Sequence, residues 1–177
     1  MFARSFQPIF RRTYVSYKKY YLHPLEKNVS LISFSKDPKH LAIGKISHGS
    51  VKYDELSDSN SEKLIDLDDT KFKENPEFMN RLLDFFAKNI YHDFSYQLET
   101  AEYAGSFMPV YDYRSVPEYG RRSDVDDVFG WVRVNDRCEM IEGSWQANTF
   151  YRPFTQSHGL PQLTDFTMEN MEDITKP

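Results

Sequence analysis

One segment near the middle of the chain constrains the fold most, because it carries both the start signal and the period of an amphipathic helix. In NPEFMNRLLDFFAKNIY (75–91), Asn75 is a favoured capping residue and Pro76 suits the first helical position. Apolar residues then recur on one helical face, at Phe78, Met79, Leu82, Leu83, Phe86 and Ile90. The sequence therefore predicts one main helix from about Pro76 to Tyr91, with a single face available for packing.

Strand patterns lie on both sides of the predicted helix. Before it, NVSLISFS (28–35) and HLAIGKI (40–46) flank the turn sequence KDPK and predict an antiparallel hairpin. After it, SFMPVYDYR (106–114) contains a proline and is typical of an irregular or edge strand.

A second hairpin is predicted within DVFGWVRVNDRCEMIEGSWQ (127–146), where apolar and polar residues alternate around an Asn-Asp turn. A three-residue loop at 135–137 places Arg133 opposite Glu139 and Val134 opposite Cys138. In that register Cys138 is a small residue on the apolar face of a strand.

Together these elements predict an α+β fold, a small single domain in which antiparallel hairpins pack on one main helix. Thr164 is positioned to cap a short final helix. The predicted domain covers 28–177, and 15–27 form a leader into it. The segment 54–75 is rich in Asp, Glu, Ser and Asn, so we expect it to be a mobile acidic loop.

The first residues of the chain have the composition of a mitochondrial presequence. Phe2, Phe6 and Phe10 share one helical face, Arg4 and Arg11 lie opposite, and no acid precedes Glu26. Arg12, Thr13 and Tyr14 match a matrix-processing site, with the arginine two residues before the first cut and the aromatic just after it, and a second trimming step would remove Tyr14 and leave Val15. We therefore expect 1–14 to be removed by a processing peptidase after an import receptor has bound them. The alternative is a basic tail that stays on the mature protein.

Charge and cysteine content exclude several classes of protein. Residues 1–25 carry a charge of +5 and the remainder carries −10, for a net −5. An acidic body repels phosphate backbones, so nucleic acid is not an expected partner. A single cysteine precludes an internal disulfide and a cysteine-based zinc cluster. No run approaches the roughly 20 apolar residues that span a bilayer, so we expect a soluble protein without a membrane span.

The best candidate for a ligand site combines Arg121, Arg122, Arg152 and His158. Guanidinium groups suit carboxylates and phosphates, so convergence of these side chains would bind an anion. The competing interpretation is that the arginines pair with Asp124, Asp126 and Asp127 at the surface. No metal-binding motif, cofactor motif or catalytic constellation stands out, so we predict no metal and no cofactor, and favour a non-catalytic protein.

Three stretches resemble the body of an uncharacterised fungal mitochondrial protein family. They are NPEFMNRLLDFFAKNIYHDF, YGRRSDVDDVFGWVRV and GSWQANTFYRPFTQSHGLPQL, and they cover about residues 75–165. The resemblance implies a mitochondrial location and a cleaved leader. It implies no activity, so it assigns no catalytic residue.

Three hypotheses of function stay open on the sequence. The first is a soluble protein of the mitochondrial matrix that acts as a non-catalytic binding or assembly accessory. The second is a binder of an anionic small molecule, or an enzyme acting on one. The third is a peripheral component of a larger mitochondrial assembly.

Overall fold

The computed structural model describes residues 20–26, 28–47, 71–117 and 122–177. The predicted presequence at 1–14, with its processing residues Arg12, Thr13 and Tyr14, lies outside the described residues. So does the predicted acidic loop up to residue 70.

The first of two antiparallel sheets has four strands in the order β1-β2-β3-β4. They are Tyr21–Glu26 (β1), Val29–Ser33 (β2), Gly44–Ser47 (β3) and Phe72–Glu74 (β4). The first predicted hairpin is confirmed, since Val29 pairs with Ser47 and Ile32 with Gly44.

Both edge strands of this sheet come from segments that were predicted to be irregular. Residues 21–26, part of the predicted leader 15–27, pair with β2, and Leu22 is buried in the core. Pro24 lacks an N–H and is tolerated because β1 lies at the sheet edge. Residues 72–74, the end of the predicted loop 54–75, pair with β3 as the other edge.

The second sheet has three antiparallel strands in the order β5-β6-β7. They are Phe107–Tyr111 (β5), Val128–Arg133 (β6) and Gln146–Ala147 (β7). The predicted edge strand in SFMPVYDYR is confirmed as β5. A Cβ on Gly130 would lie 2.4 Å from the Gln146 carbonyl oxygen, so only glycine allows β7 to approach β6 here.

The predicted register of the second hairpin is wrong. Val134 pairs with Met140 instead of Cys138, and the turn spans 135–139 instead of three residues. The cause is the Asn135 side chain, whose Oδ1 accepts hydrogen bonds of 2.9 Å from the backbone N–H groups of Arg137 and Glu139. Cys138 lies in this turn at a φ of 61°, so it is not on a strand face.

The predicted main helix is confirmed as α1, Pro76–Asn89, followed by a 3₁₀ turn at Ile90–His92. Asn75 caps it by accepting a 3.1 Å hydrogen bond from the Glu77 N–H. Its apolar face contacts both sheets: the Phe78 ring lies 6.1 Å from Phe34, and the Phe86 ring lies 4.8 Å from Phe129. The α+β single-domain prediction, with hairpins packed on one helix, is therefore confirmed.

The described residues also form three shorter α-helices, Phe94–Glu99 (α2), Asp165–Glu169 (α3) and Met171–Thr175 (α4), and α2 continues into a 3₁₀ helix at Thr100–Tyr103. Thr164 caps α3, as predicted, by accepting a hydrogen bond from the Thr167 N–H. Across the part of the chain that the structure describes, no helix combines the length and the apolar character needed to cross a membrane.

Candidate functional site

A buried arginine organises the region where the second sheet meets the C-terminal segments. Arg114 lies in a 3₁₀ turn that follows β5, and its side chain is 0% exposed. Its Nη1 donates to the Gly159 carbonyl at 2.9 Å, and its Nη2 donates to the carbonyls of Asp126 and Arg152 at 3.2 and 2.6 Å. One guanidinium therefore ties together segments that are far apart in the sequence.

Two buried aspartates flank this guanidinium. The Nε of Arg114 donates to Asp127 Oδ1 at 2.9 Å and lies 3.3 Å from Asp112 Oδ2. Neither aspartate is exposed to solvent. A buried cation between two carboxylates avoids the cost of an uncompensated charge and leaves the trio with a net charge of −1. We refer to Asp112, Arg114 and Asp127 as the buried charge trio.

Asp112 is fixed on every side. Its Oδ1 accepts from the backbone N–H groups of Arg114 and Gln162 at 3.0 and 2.7 Å, and its Oδ2 accepts from the Tyr151 hydroxyl at 2.9 Å. Burial raises the pKa of Asp112 to about 6, because desolvation outweighs the opposing effects of Arg114 and the hydrogen bonds. Asp112 is therefore a structural anchor that no solute can reach.

A cleft of about 210 Å³ opens above the buried charge trio. We call it the acidic cleft; it is lined by Asp124, Val125, Asp126, Asp127, Thr155, Ser157 and His158. One wall is the 3₁₀ turn Val125–Asp127, and the other is a tight turn in which Thr155 and Gly159 exchange backbone hydrogen bonds. Gly159 has a φ of 77°, a conformation that glycine adopts without strain. Arg114 fastens both walls from below, so the cleft is preformed.

One oxygen at the floor of the acidic cleft lacks a hydrogen bond. Asp127 Oδ1 is held by Arg114, but Oδ2 is buried and has no hydrogen-bond donor among the described residues. His158 Nδ1 lies 2.8 Å from this oxygen, in an orientation that does not meet hydrogen-bond geometry. Because ring N–H donors must point at their acceptor, this close approach is a polar contact that does not count as a hydrogen bond.

The four residues predicted to form an anion site are placed as follows. His158 lines the acidic cleft, next to Asp127. Arg152 is 66% exposed, with its Nε 4.0 Å from Asp126 Oδ2. Arg122 is exposed, and Arg121 lies outside the described residues. The structure thus brings His158 together with carboxylates, and one of the arginines with a carboxylate at the rim.

Sequence reasoning did not identify Asp112, Arg114 or Asp127 as members of one group. They lie in YDYR and SDVDD, which carry no motif, and only the fold brings them within reach of Tyr151 and His158. An arginine just beyond an aromatic strand is a weak signal, because most such arginines are exposed.

Comparison with known proteins gives no relative: no family model, curated protein or solved structure matches this chain. Its site must therefore be interpreted from its own geometry. An acidic cleft with a preformed floor is suited to binding a positively charged group.

Proposed function

We propose that this chain is a non-catalytic accessory protein of the mitochondrial matrix that acts by binding, and that the acidic cleft is its binding site. The observation that carries the proposal is the buried Oδ2 of Asp127 at the floor of a preformed cleft, where it lies 2.8 Å from His158 Nδ1 and accepts no hydrogen bond from the described residues. A buried carboxylate oxygen without a donor costs free energy, and a cationic group that enters the cleft recovers it.

The arrangement of ionisable groups favours binding over catalysis. Asp112 has a raised pKa and a hydrogen bond to Tyr151, the combination often found in a catalytic acid. However, Asp112 is 0% exposed and Tyr151 is 6% exposed, so a substrate in the acidic cleft cannot touch either. A general acid must come within hydrogen-bond reach of its substrate.

The mitochondrial part of the proposal rests on the basic, acid-free arm that precedes Glu26 and on the Arg12-Thr13-Tyr14 pattern. The resemblance to a fungal mitochondrial protein family implies the same location. The mature protein, beginning at about residue 15, then carries an excess of acidic residues.

The second candidate is an anionic ligand held by Arg121, Arg122, Arg152 and His158. Three carboxylates line the cleft beside His158, so an anion there meets like charges. The Nε of Arg152 lies near the carboxylate of Asp126, so the guanidinium is paired with a group of the protein itself. These contacts favour a cation as the ligand of the cleft.

One experiment tests the proposal: isolate the C-terminally tagged protein from mitochondria, sequence its N-terminus and identify what co-purifies. We expect a mature start near residue 15 and a partner or ligand that Ser157→Arg releases, because the new guanidinium fills the cleft with positive charge. Ser106→Arg is the matched control, since Ser106 is exposed and does not line the cleft.

Retention of every partner by Ser157→Arg would contradict the cleft as the binding site, and a protein that keeps Met1 would contradict the processing prediction. Co-sedimentation with a large assembly that also depends on Ser157 would identify the partner as that assembly.

A further inference from the structure

Asp124, Asp127 and His158 line the acidic cleft. Each offers one atom that can ligate a metal ion, and these three atoms lie within 4.8 Å of one another. Asp124 precedes the 3₁₀ turn on one wall without a capping hydrogen bond from its side chain, Asp127 ends the same turn, and His158 comes from the opposite wall. Two carboxylates and an imidazole are a recognised ligand set for divalent transition-metal ions.

The contact between His158 and Asp127 has the geometry of two ligands of one ion. In a site with metal–ligand distances of about 2.0–2.2 Å, neighbouring ligand atoms lie about 2.8–3.1 Å apart in octahedral coordination and about 3.3–3.6 Å apart in tetrahedral coordination. Nδ1 and Oδ2 are 2.8 Å apart, and the oxygen lies off the direction along which the ring nitrogen would donate. At this separation one ion can contact both atoms.

Asp127 is the buried member of this cluster. The residue is 0% exposed, and its Oδ2 has no hydrogen-bond donor among the described residues. Buried polar atoms in folded proteins are almost always satisfied, so a carboxylate oxygen that accepts no hydrogen bond from the chain is open to a further partner in the cleft, such as an ion.

The local charge matches a divalent ion. Within the buried charge trio, Asp112 offsets Arg114, and at the rim Arg152 lies 4.0 Å from Asp126. Asp124 and Asp127 then contribute two negative charges, which an ion of charge +2 neutralises. The imidazole favours zinc-like ions over Mg²⁺ and Ca²⁺, which prefer oxygen ligands.

Arg114 already orients the carboxylate of Asp127. Arg114 Nε and Nη2 hold Asp127 Oδ1 at 2.9 and 2.7 Å, which leaves Oδ2 to face His158. Hydrogen bonds of this kind to the outer oxygen of a ligating carboxylate fix its orientation in metal sites. Asp124 is exposed and free to close the remaining distance.

We propose that Asp124, Asp127 and His158 bind one divalent transition-metal ion, with Zn²⁺ as its representative. This inference rests on the proposed function, because it names the ligand of the same cleft. Three protein ligands leave at least one coordination position open to the cleft, where a water molecule or a donor atom of a partner completes the site.

The test is calorimetric titration of the chelator-treated full chain with ZnCl₂. We expect one Zn²⁺ per chain, with affinity reduced at least about tenfold by Asp124→Asn and by His158→Ala, because each variant removes a ligand. Asp126→Asn is the matched control: Asp126 lines the same cleft but is outside the ligand set, so its affinity should stay within about threefold. Asp124→Asn and His158→Ala remove no contact of Arg114, so both ligand variants should fold.

Absence of stoichiometric Zn²⁺ binding would overturn the inference, as would equal affinities in the wild-type protein and both ligand variants. Tighter binding of Mg²⁺ than of Zn²⁺ would overturn the choice of ion. The proposed function fails separately: if Ser157→Arg releases the partner while Zn²⁺ does not bind, the cleft is a binding site without a metal.

Discussion

Arg114 is the residue on which the described C-terminal half depends most. Its side chain contacts two carboxylates and three backbone carbonyls, and it lies 5.5 Å from the centre of the Tyr151 ring. A lysine has neither the fork geometry nor the number of donors to replace it.

Arg114→Met should lower the free energy of unfolding by about 3–5 kcal/mol, because Asp112 and Asp127 then remain buried without a cation. Urea unfolding of both proteins measures the difference. Arg152→Ala is the control: its side chain is 66% exposed, and its backbone carbonyl still accepts from Arg114. A change of less than about 1 kcal/mol in Arg114→Met would show that the trio contributes little.

Asp112 should give the stability a distinctive pH dependence. Burial raises its pKa from 3.8, the ordinary value of an aspartate, to about 6 in the folded protein, so the folded state binds its proton more tightly. The stabilisation is complete below about pH 4 and is lost as the pH rises through about 6. A pKa difference of this size corresponds to roughly 3 kcal/mol.

The measurement is the unfolding free energy of the wild-type protein and Asp112→Asn from pH 4 to pH 7. We expect the difference, wild type minus variant, to decrease as the pH rises, because only the wild type loses this proton. A difference that stays constant or increases over this range contradicts the raised pKa.

At the scale of elements, a single buried contact links two helix starts. Asp93 Oδ1 caps α2 by accepting from the Ser95 N–H at 3.0 Å, and Oδ2 accepts from the Thr164 hydroxyl at 2.5 Å. The same Thr164 oxygen caps α3. Asp93 therefore explains why the main helical run breaks after His92 and where the C-terminal helices dock.

Asp93→Ala should cost about 2–4 kcal/mol, the loss of one cap plus an unsatisfied buried hydroxyl. Asp93→Asn should cost less, because an asparagine oxygen can still cap α2. In a double-mutant cycle of Asp93→Ala with Thr164→Val, measured by urea unfolding, we expect the second substitution to cost less in the presence of the first. Asp84→Ala, at an exposed position of α1, is the control. Strict additivity would show that the two caps act independently.

The elements differ in how far local sequence determines them. The α1 stripe and its Asn75 cap are complete in a short segment, so the helix was predicted with its start, and β2 with β3 likewise. The turn at 135–139 was not predicted correctly, because hydrogen bonds to the Asn135 side chain close it. The alternation of apolar residues contains no information about those hydrogen bonds. β1 forms by pairing with β2. Its own mixed, aromatic sequence has no clear strand pattern from which that pairing could be predicted.

At the scale of the whole molecule, α1 joins the two sheets, and the acidic cleft forms where the second sheet meets the C-terminal segments. The cleft is lined by residues from 124–127 and 155–158, and Arg114 beneath it binds both segments, so only tertiary structure brings them together. Sequence reasoning identified His158 as a candidate. The sequence predicts arginines as the neighbours of His158, because a pair of arginines is conspicuous in an acidic chain. A single carboxylate among many acidic residues is not.

The central claim is that this cleft is built to hold a divalent cation. The most direct measurement is anomalous X-ray diffraction at the zinc edge from crystals of the full chain grown with one equivalent of Zn²⁺. We expect one peak in the acidic cleft, about 2.0–2.2 Å from Asp124, Asp127 Oδ2 and His158 Nδ1. A crystal that shows zinc at other sites and none in the cleft, with Asp127 Oδ2 still next to His158, would contradict it.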